Sequence, residues 1–138
     1  MLVRPSSWLT GYIPDLPTPF NTAGLDLEAF ASLCERQIAA GVPALVMCET
    51  AGEVPTLSPA ERELLIRTAV DVARGRVRII AGAGSNATSH AIELTRRAEA
   101  AGADAALSVV PYYNKPMREG MLAHSRQLRL APPCPSSA

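Results

Sequence analysis

The sequence has 138 residues, 48% apolar and 19% charged, and its formal net charge at neutral pH is zero. This composition is typical of a soluble globular protein and excludes a disordered chain. Its arginines are spread along the chain without a basic run, which excludes the charge pattern of a nucleic-acid-binding protein. No apolar run reaches the ~20 residues that a membrane span needs.

The N-terminal segment and the cysteines indicate the cellular compartment of the protein. Pro5 interrupts the N-terminal ten residues, so they do not form the apolar core of a secretory signal. Cys34, Cys48 and Cys134 are odd in number and widely spaced, which argues against a disulfide framework or a zinc site. The sequence therefore predicts a cytoplasmic protein.

The first predicted elements are a strand and a helix. A strand is expected over Tyr12–Leu16, although Pro14 and Pro17 disfavour it. A helix follows, with Asp26 as its N-cap and Gly41 as its stop. One face of this helix carries its apolar residues, which are Leu27, Phe30, Leu33, Cys34 and Ile38.

The second unit has the clearest local signals. The apolar run Ala44–Met47 predicts a buried strand because it lacks polar alternation. Ser58, Pro59 and Glu61 form the sequence of a capping box with proline at the first helical position. The helix is expected to run to Gly75, and its buried stripe is predicted to be Leu64, Leu65, Ala69 and Val72.

Two further units complete the pattern. Buried strands are predicted at Val77–Ala81 and Ala105–Val110, and helices at Thr88–Ala101 and Arg118–Leu128. Strands that recur every ~30 residues with helices between them predict a parallel α/β sheet. A closed (β/α)₈ barrel needs eight such units and typically about 250 residues, so four strands make half of one.

Polar or glycine-rich segments follow each predicted strand. They are Thr18-Pro19-Phe20, Glu49-Thr50-Ala51-Gly52-Glu53, Gly82-Ala83-Gly84-Ser85-Asn86 and Pro111-Tyr112-Tyr113-Asn114-Lys115-Pro116. In this order, over Gly11 to Leu122, they resemble the dihydrodipicolinate synthase and N-acetylneuraminate lyase family of pyruvate-dependent aldolases. The resemblance implies the N-terminal half of a (β/α)₈ barrel. It also implies condensation of pyruvate with an aldehyde, such as aspartate semialdehyde, or the reverse cleavage, without a metal or organic cofactor.

The resemblance assigns roles to three residues. Thr50 matches a hydroxyl that binds the pyruvate carboxylate and belongs to a proton relay, and Ala51 replaces a second hydroxyl but keeps its backbone N–H for the carboxylate. Tyr113 matches a relay tyrosine that reaches into a neighbouring subunit. The resemblance therefore also implies a homo-oligomer, a tetramer built from tight dimers.

Two catalytic residues of the family have no counterpart. They are a tyrosine after the fifth strand and a lysine in the sixth, and the lysine forms the Schiff base with pyruvate. Lys115, the single lysine here, lies in a loop beside Pro116 and does not match it. We therefore expect residues 1–124 to be a partial barrel, residues 125–138 to be a divergent tail, and the chain to be inactive alone. A shifted reading frame or a premature end of the parent gene is the hypothesis that explains this.

Two functions from other classes compete with this interpretation. Gly82-x-Gly84-x-x-Ala87 after a strand formally matches a nicotinamide dinucleotide fingerprint, but Asp104 precedes the next strand, on the wrong edge for a ribose. Alternatively, the half-barrel is a non-catalytic assembly or regulatory fragment.

Single residues also have structural alternatives. Tyr113 and Thr50 would be a packing aromatic and a turn hydroxyl if they were considered alone, and Cys48 and His90 are expected to be structural. Asp15 could point into the barrel or face solvent at the strand end.

Overall fold

The first parallel pairing is shorter than predicted. A computed structural model describes residues 7–130, and within them the predicted strand Tyr12–Leu16 is reduced to one bridge, between Asp15 and Val46. Val46 N–H donates to the Pro14 carbonyl and Leu16 N–H donates to the Val46 carbonyl, each at 2.9 Å. Pro14 and Pro17 have no N–H, so the ladder does not extend along this segment.

A small hairpin that the sequence analysis did not predict follows. β1 (Phe20–Asn21) pairs antiparallel with β2 (Gly24–Leu25). Gly24 has a φ of 127°, a backbone conformation that residues with a Cβ rarely adopt. The hairpin leads directly into the first helix.

Helix α1 (Leu27–Ala39) begins and ends where the sequence predicts. The Asp26 carboxylate accepts the Ala29 N–H at 2.9 Å, so Asp26 is the N-cap. Gly41, after the last turn, has a φ of 85°. Phe30 and Cys34 are fully buried, which confirms the predicted apolar face.

The second unit contains β3 (Ala44–Met47), a 3₁₀ turn (Val54–Thr56) and α2 (Pro59–Ala73). The predicted strand and the predicted capping box are both confirmed. The predicted buried stripe of α2 was partly wrong, because Leu64 is 48% exposed. The buried residues are Leu65, Ile66, Ala69 and Ala73, so the face that packs on the sheet is rotated from the predicted one.

The remaining elements are β4 (Arg78–Gly82), α3 (Thr88–Ala100), β5 (Ala105–Leu107) and α4 (Arg118–Leu130). Strands β3, β4 and β5 form a parallel sheet in chain order, with Leu45 opposite Ile79 and Ala81 opposite Ala106. This confirms the predicted parallel α/β architecture.

β5 differs from the prediction in length and burial. The apolar run Ala105–Val110 predicted a buried strand, but only its first three residues pair with β4. Leu107, Val109 and Val110 are between 44% and 53% exposed. The physical reason is position, since β5 is the last strand of the described sheet and one of its edges has no neighbour among residues 7–130.

The hydrophobic core lies between this sheet and helices α1, α2 and the end of α3. It includes Phe30, Cys34, Leu45, Met47, Leu65 and Ile79. Burial raises the pKa of the Cys34 thiol to about 12, so this side chain behaves as a small apolar residue.

Helix α4 continues across residue 124, where the tail was predicted to begin, and reaches Leu130. The division at residue 124 stays a prediction. Cys134 and the rest of residues 131–138 lie outside the described residues.

Candidate active site at the carboxyl edge of the sheet

Three of the four polar segments predicted from the sequence follow the parallel strands β3, β4 and β5, and the first follows the bridge between Asp15 and Val46. In parallel α/β folds the carboxyl ends of the strands share one edge of the sheet. A buried hydrogen bond joins the first two segments, since the Thr18 hydroxyl donates to the Gly52 carbonyl at 2.7 Å. The loop after β3 is therefore anchored to the segment that precedes the hairpin.

The chain reverses sharply after β3. Cys48 has a φ of 58° and Glu53 a φ of 55°, both in the left-handed region that is uncommon for residues with a Cβ. Cys48 is 1% exposed, and burial raises the pKa of its thiol to about 12. It is therefore protonated near neutral pH, which fits the structural role expected for it rather than that of a nucleophile.

Gly82, at the end of β4, makes this reversal sterically feasible. A Cβ placed on Gly82 would lie 1.9 Å from the Cys48 carbonyl oxygen and 2.8 Å from a carboxylate oxygen of Glu49. The missing side chain thus leaves room for the loop after β3 to cross the end of the neighbouring strand.

Asp15 contacts the loop that was predicted to bind a carboxylate. Its Oδ2 accepts the Ala51 N–H at 2.8 Å. Its Oδ1 is buried and has no hydrogen-bond partner among residues 7–130. The carboxylate is thus directed toward the loop after β3, with one oxygen buried and the residue half-buried. The sequence does not reveal this contact, because nothing in the order of the motifs relates residues 15 and 51.

Glu49 lies in the same loop, and the environment of its carboxyl group is unfavourable for a negative charge. Burial is the main cause that raises its pKa, the negative charge of Asp15 raises it further, and Arg62 acts in the opposite direction. The Arg62 guanidinium itself donates to the carbonyls of Val54 and Leu57. Nothing in the sequence indicates that Glu49 lies close to Asp15.

Thr50 lies at the surface of the same loop. Thr50 is exposed, and its hydroxyl makes no hydrogen bond within the described part of the chain. Its carbonyl accepts the Glu53 N–H at 3.2 Å. The hydroxyl is accordingly accessible to a ligand at this edge.

Close contacts join the loops that follow β4 and β5. The Asn86 side-chain amide donates to Asn114 Oδ1 and the Asn114 amide donates to the Asn86 carbonyl, both at 3.2 Å. A Cβ on Gly84 would lie 2.7 Å from Val109. Ser85 is buried, accepts the Ala87 N–H and contacts His90 Nδ1, both at 3.2 Å, so His90 serves to hold the loop.

Tyr113 extends from this joined pair of loops into solvent. It is 94% exposed and has a φ of 70°, and Lys115 two residues later has a φ of 46°. No hydrogen bond connects Tyr113 with Thr50 in residues 7–130. The structure thus brings Thr50 and Ala51 together in one loop and places Tyr113 on another.

The residues that suggested a dinucleotide site have other contacts. Gly82 and Gly84 pack closely against the neighbouring loops described above. The Asp104 carboxylate accepts hydrogen bonds from Arg78 at 2.6 Å and from the Ile79 N–H at 2.8 Å, near the amino end of β5. Asp104 therefore lies before β5 and not at its carboxyl end, where a ribose-binding carboxylate is expected. Within residues 7–130 no cluster of three potential metal ligands occurs.

A surface groove of about 850 Å³ lies elsewhere, between α1 and α2. Glu35 and Arg76 form an exposed ion pair in it. These helices pack on the side of the sheet, so the groove is separate from the loops that follow the strands. None of the described helices is long and apolar enough to cross a membrane.

The successive parallel βα units and the loops at their carboxyl edge are those of a (β/α)₈-barrel protein. The sequence pattern of the dihydrodipicolinate synthetase family matches residues 8–134, and the chain belongs to this family.

Three relatives illustrate the similarity. A 4-hydroxy-tetrahydrodipicolinate synthase from Hyphomonas neptunium is 54% identical over 118 residues, which are 86% of this chain and 40% of the relative. The chloride-inhibited dihydrodipicolinate synthase from Acinetobacter baumannii, solved in complex with pyruvate, is 42% identical with a TM-score of 0.86 over 91% of this chain and 43% of that one. A monomeric dihydrodipicolinate synthase variant is 37% identical with a TM-score of 0.84 over 88% of this chain and 41% of that one. The chain thus spans about 40% of the length of the curated relatives it matches.

Proposed function

We propose that this chain is the N-terminal half of a lyase that joins pyruvate to an aldehyde, or cleaves the product, through a lysine Schiff base. The observation that carries the proposal is the family match over residues 8–134, together with the loop of Thr50 at the carboxyl edge of the parallel strands. Aspartate semialdehyde is the proposed aldehyde, because the curated relatives are 4-hydroxy-tetrahydrodipicolinate synthases. The proposed reaction needs no metal or organic cofactor, since the imine itself is the electron sink.

Thr50 and Tyr113 are the proposed catalytic residues. The accessible Thr50 hydroxyl would bind the pyruvate carboxylate and pass a proton, and Ala51 would contribute its backbone N–H to the same carboxylate. Tyr113 would act in a neighbouring subunit, which its 94% exposure supports. We propose that the complete protein is a homo-oligomer, a tetramer as the resemblance implies, and that it is cytoplasmic.

The chain alone is proposed to be inactive. Schiff-base chemistry needs an amine whose neutral form is favoured by burial or by a neighbouring positive charge. Lys115 is the single lysine of the sequence and is exposed in a loop. The tyrosine and lysine of the later strands would come from the part of the relatives that this chain does not span.

Reduction with borohydride in the presence of pyruvate tests this proposal directly. We expect no covalent pyruvate adduct on the 138-residue chain, and no condensation of pyruvate with aspartate semialdehyde. A full-length relative treated in parallel should be trapped and serves as the positive control. An adduct on Lys115, located by peptide mass spectrometry, would show that the proposed division of the site is wrong.

A further inference from the structure

The Ala51 N–H is the group on which this inference depends, and the inference rests on the proposed function. In that function the loop after β3 offers this N–H to the carboxylate of pyruvate. In the structure the N–H already donates to a carboxylate of the same chain, since Asp15 Oδ2 lies 2.8 Å from the Ala51 nitrogen. A backbone N–H has one hydrogen to donate, so a second carboxylate must displace the first or bind without it.

The charges around the loop also oppose an incoming anion. Asp15 is ionisable and next to the N–H, and Glu49 lies close enough for the charge of Asp15 to act on its carboxyl group. Arg62 is the basic residue whose charge acts on Glu49, and its N–H groups donate to backbone carbonyls of the 3₁₀ turn and its end. The hydrogen bonds of Arg62 are therefore used to shape the loop, and none is made to Asp15.

The position of Asp15 makes it hard to move away. Its backbone bridges Val46, and the neighbouring Leu16 N–H donates to the Val46 carbonyl. Asp15 Oδ1 is buried, so this side of the carboxylate lies against the protein. The internal acceptor is thus held by the sheet itself rather than by a mobile loop.

We propose that Asp15 is a specificity-determining residue that occupies the carboxylate subsite of this loop from inside the protein. It shapes the loop by accepting the Ala51 N–H, and it weakens the binding of any ligand carboxylate there. Pyruvate would then have to displace Asp15 from the Ala51 N–H, so its binding through this N–H and the Thr50 hydroxyl would be weaker.

The test compares pyruvate binding by the full ¹⁵N-labelled chain and its Asp15 variants, followed by NMR at the Ala51 and Thr50 amides. Asp15→Ala frees the N–H and removes the charge, and we expect it to tighten pyruvate binding by about ten-fold or more, the size of one hydrogen bond to a charged group. Asp15→Asn keeps an oxygen acceptor without the charge, so it should give a smaller gain. Pyruvamide lacks the negative charge but keeps an acceptor oxygen for the freed N–H, so it should gain less than pyruvate from Asp15→Ala.

Glu49→Gln is the comparison variant, because it removes a neighbouring charge and leaves the Ala51 hydrogen bond in place. It should gain less than Asp15→Ala, and the Ala51 amide should keep its wild-type shift. If Asp15→Ala unfolds, as loss of amide dispersion would reveal, Asp15→Asn carries the test.

Equal or weaker pyruvate binding by the folded Asp15 variants would overturn the inference. If Thr50→Val also lowers pyruvate binding in that case, the proposed carboxylate loop stands and only the role of Asp15 fails. If no variant responds to pyruvate at Ala51 or Thr50, both the inference and the proposed carboxylate loop fail.

Discussion

Gly82 shows how a single missing Cβ shapes this edge of the sheet. We expect Gly82→Ala to lower the free energy of unfolding by about 3 kcal/mol or more, the upper range of overpacking costs. The added carbon would lie 1.9 Å from the Cys48 carbonyl oxygen, so the loop after β3 must move as a whole. Urea unfolding followed by circular dichroism measures the loss.

Gly120→Ala is the matched control. Gly120 lies in α4, and an added Cβ would meet Pro116 at an ordinary contact distance of 3.5 Å. Alanine is favoured over glycine in a helix by about 1 kcal/mol, so this variant should be unchanged or slightly more stable. Equal losses from the two substitutions would contradict the steric role given to Gly82.

At the residue scale, the sequence predicted where single residues lie better than it predicted their contacts. Thr50 and Ala51 were placed in one loop because they are adjacent, and Cys48 was expected to be buried. The bond between Asp15 and Ala51 depends on the parallel bridge to Val46 and on the reversal after β3. Neither leaves a periodic signal in the sequence.

The capping box of α2 is the best-defined element boundary. The Ser58 hydroxyl accepts the Glu61 N–H at 3.2 Å and the Ser58 N–H donates to the Glu61 carboxylate at 2.8 Å. Ser58→Ala should therefore cost about 1 kcal/mol of stability. Ser89→Ala, in the exposed first turn of α3 where Ser89 makes no hydrogen bond within the described residues, should change stability little. A similar loss for both would argue against a specific cap.

The same box predicts a pH dependence. The hydrogen bond from the Ser58 N–H is the main cause that holds the pKa of Glu61 below its usual value of 4.5. A hydrogen bond involving the Ser58 side chain is the second cause. Because this pKa is lower in the folded state, the ionised Glu61 carboxylate stabilises the protein at neutral pH. The stabilisation is lost as the pH falls below 4.5 and through the folded-state pKa. The gap in stability between wild type and Glu61→Gln should therefore narrow in acid, as unfolding curves at several pH values would reveal. A gap that does not change with pH would mean that the carboxylate charge has no part in the cap.

Helix boundaries were predictable because caps and glycine stops are local chemistry. Asp26, Ser58 and Gly41 all act where the sequence placed them. Strand extents were less predictable, since the pairing of Tyr12–Leu16 and Ala105–Val110 depends on neighbours rather than on the apolar runs themselves. The small hairpin of β1 and β2 lacked apolar alternation and gave no signal.

For the whole molecule, the exposed side chains around β5 mark the limit of what composition can predict. Leu107, Val109 and Val110 have the composition of a barrel core but are about half exposed. An edge strand with apolar side chains favours pairing with another chain. The same surface would be covered by further strands in a closed barrel.

A reconstitution experiment tests the fold and the site together. If the proposed function holds, the C-terminal half of the 54%-identical Hyphomonas neptunium relative should cover this edge and, by supplying the proposed Schiff-base lysine, give pyruvate condensation. In the active complex, Thr50→Val and Tyr113→Phe should each lower kcat by roughly ten- to a thousand-fold, the range expected when one proton-transfer group is removed. Borohydride trapping of pyruvate should be less affected, since the lysine remains. Tyr112→Phe, one residue from Tyr113 and 56% exposed, is the matched control and should retain its rate. Full activity of both the Thr50 and Tyr113 variants in the complex would refute their catalytic roles while leaving the barrel fold intact.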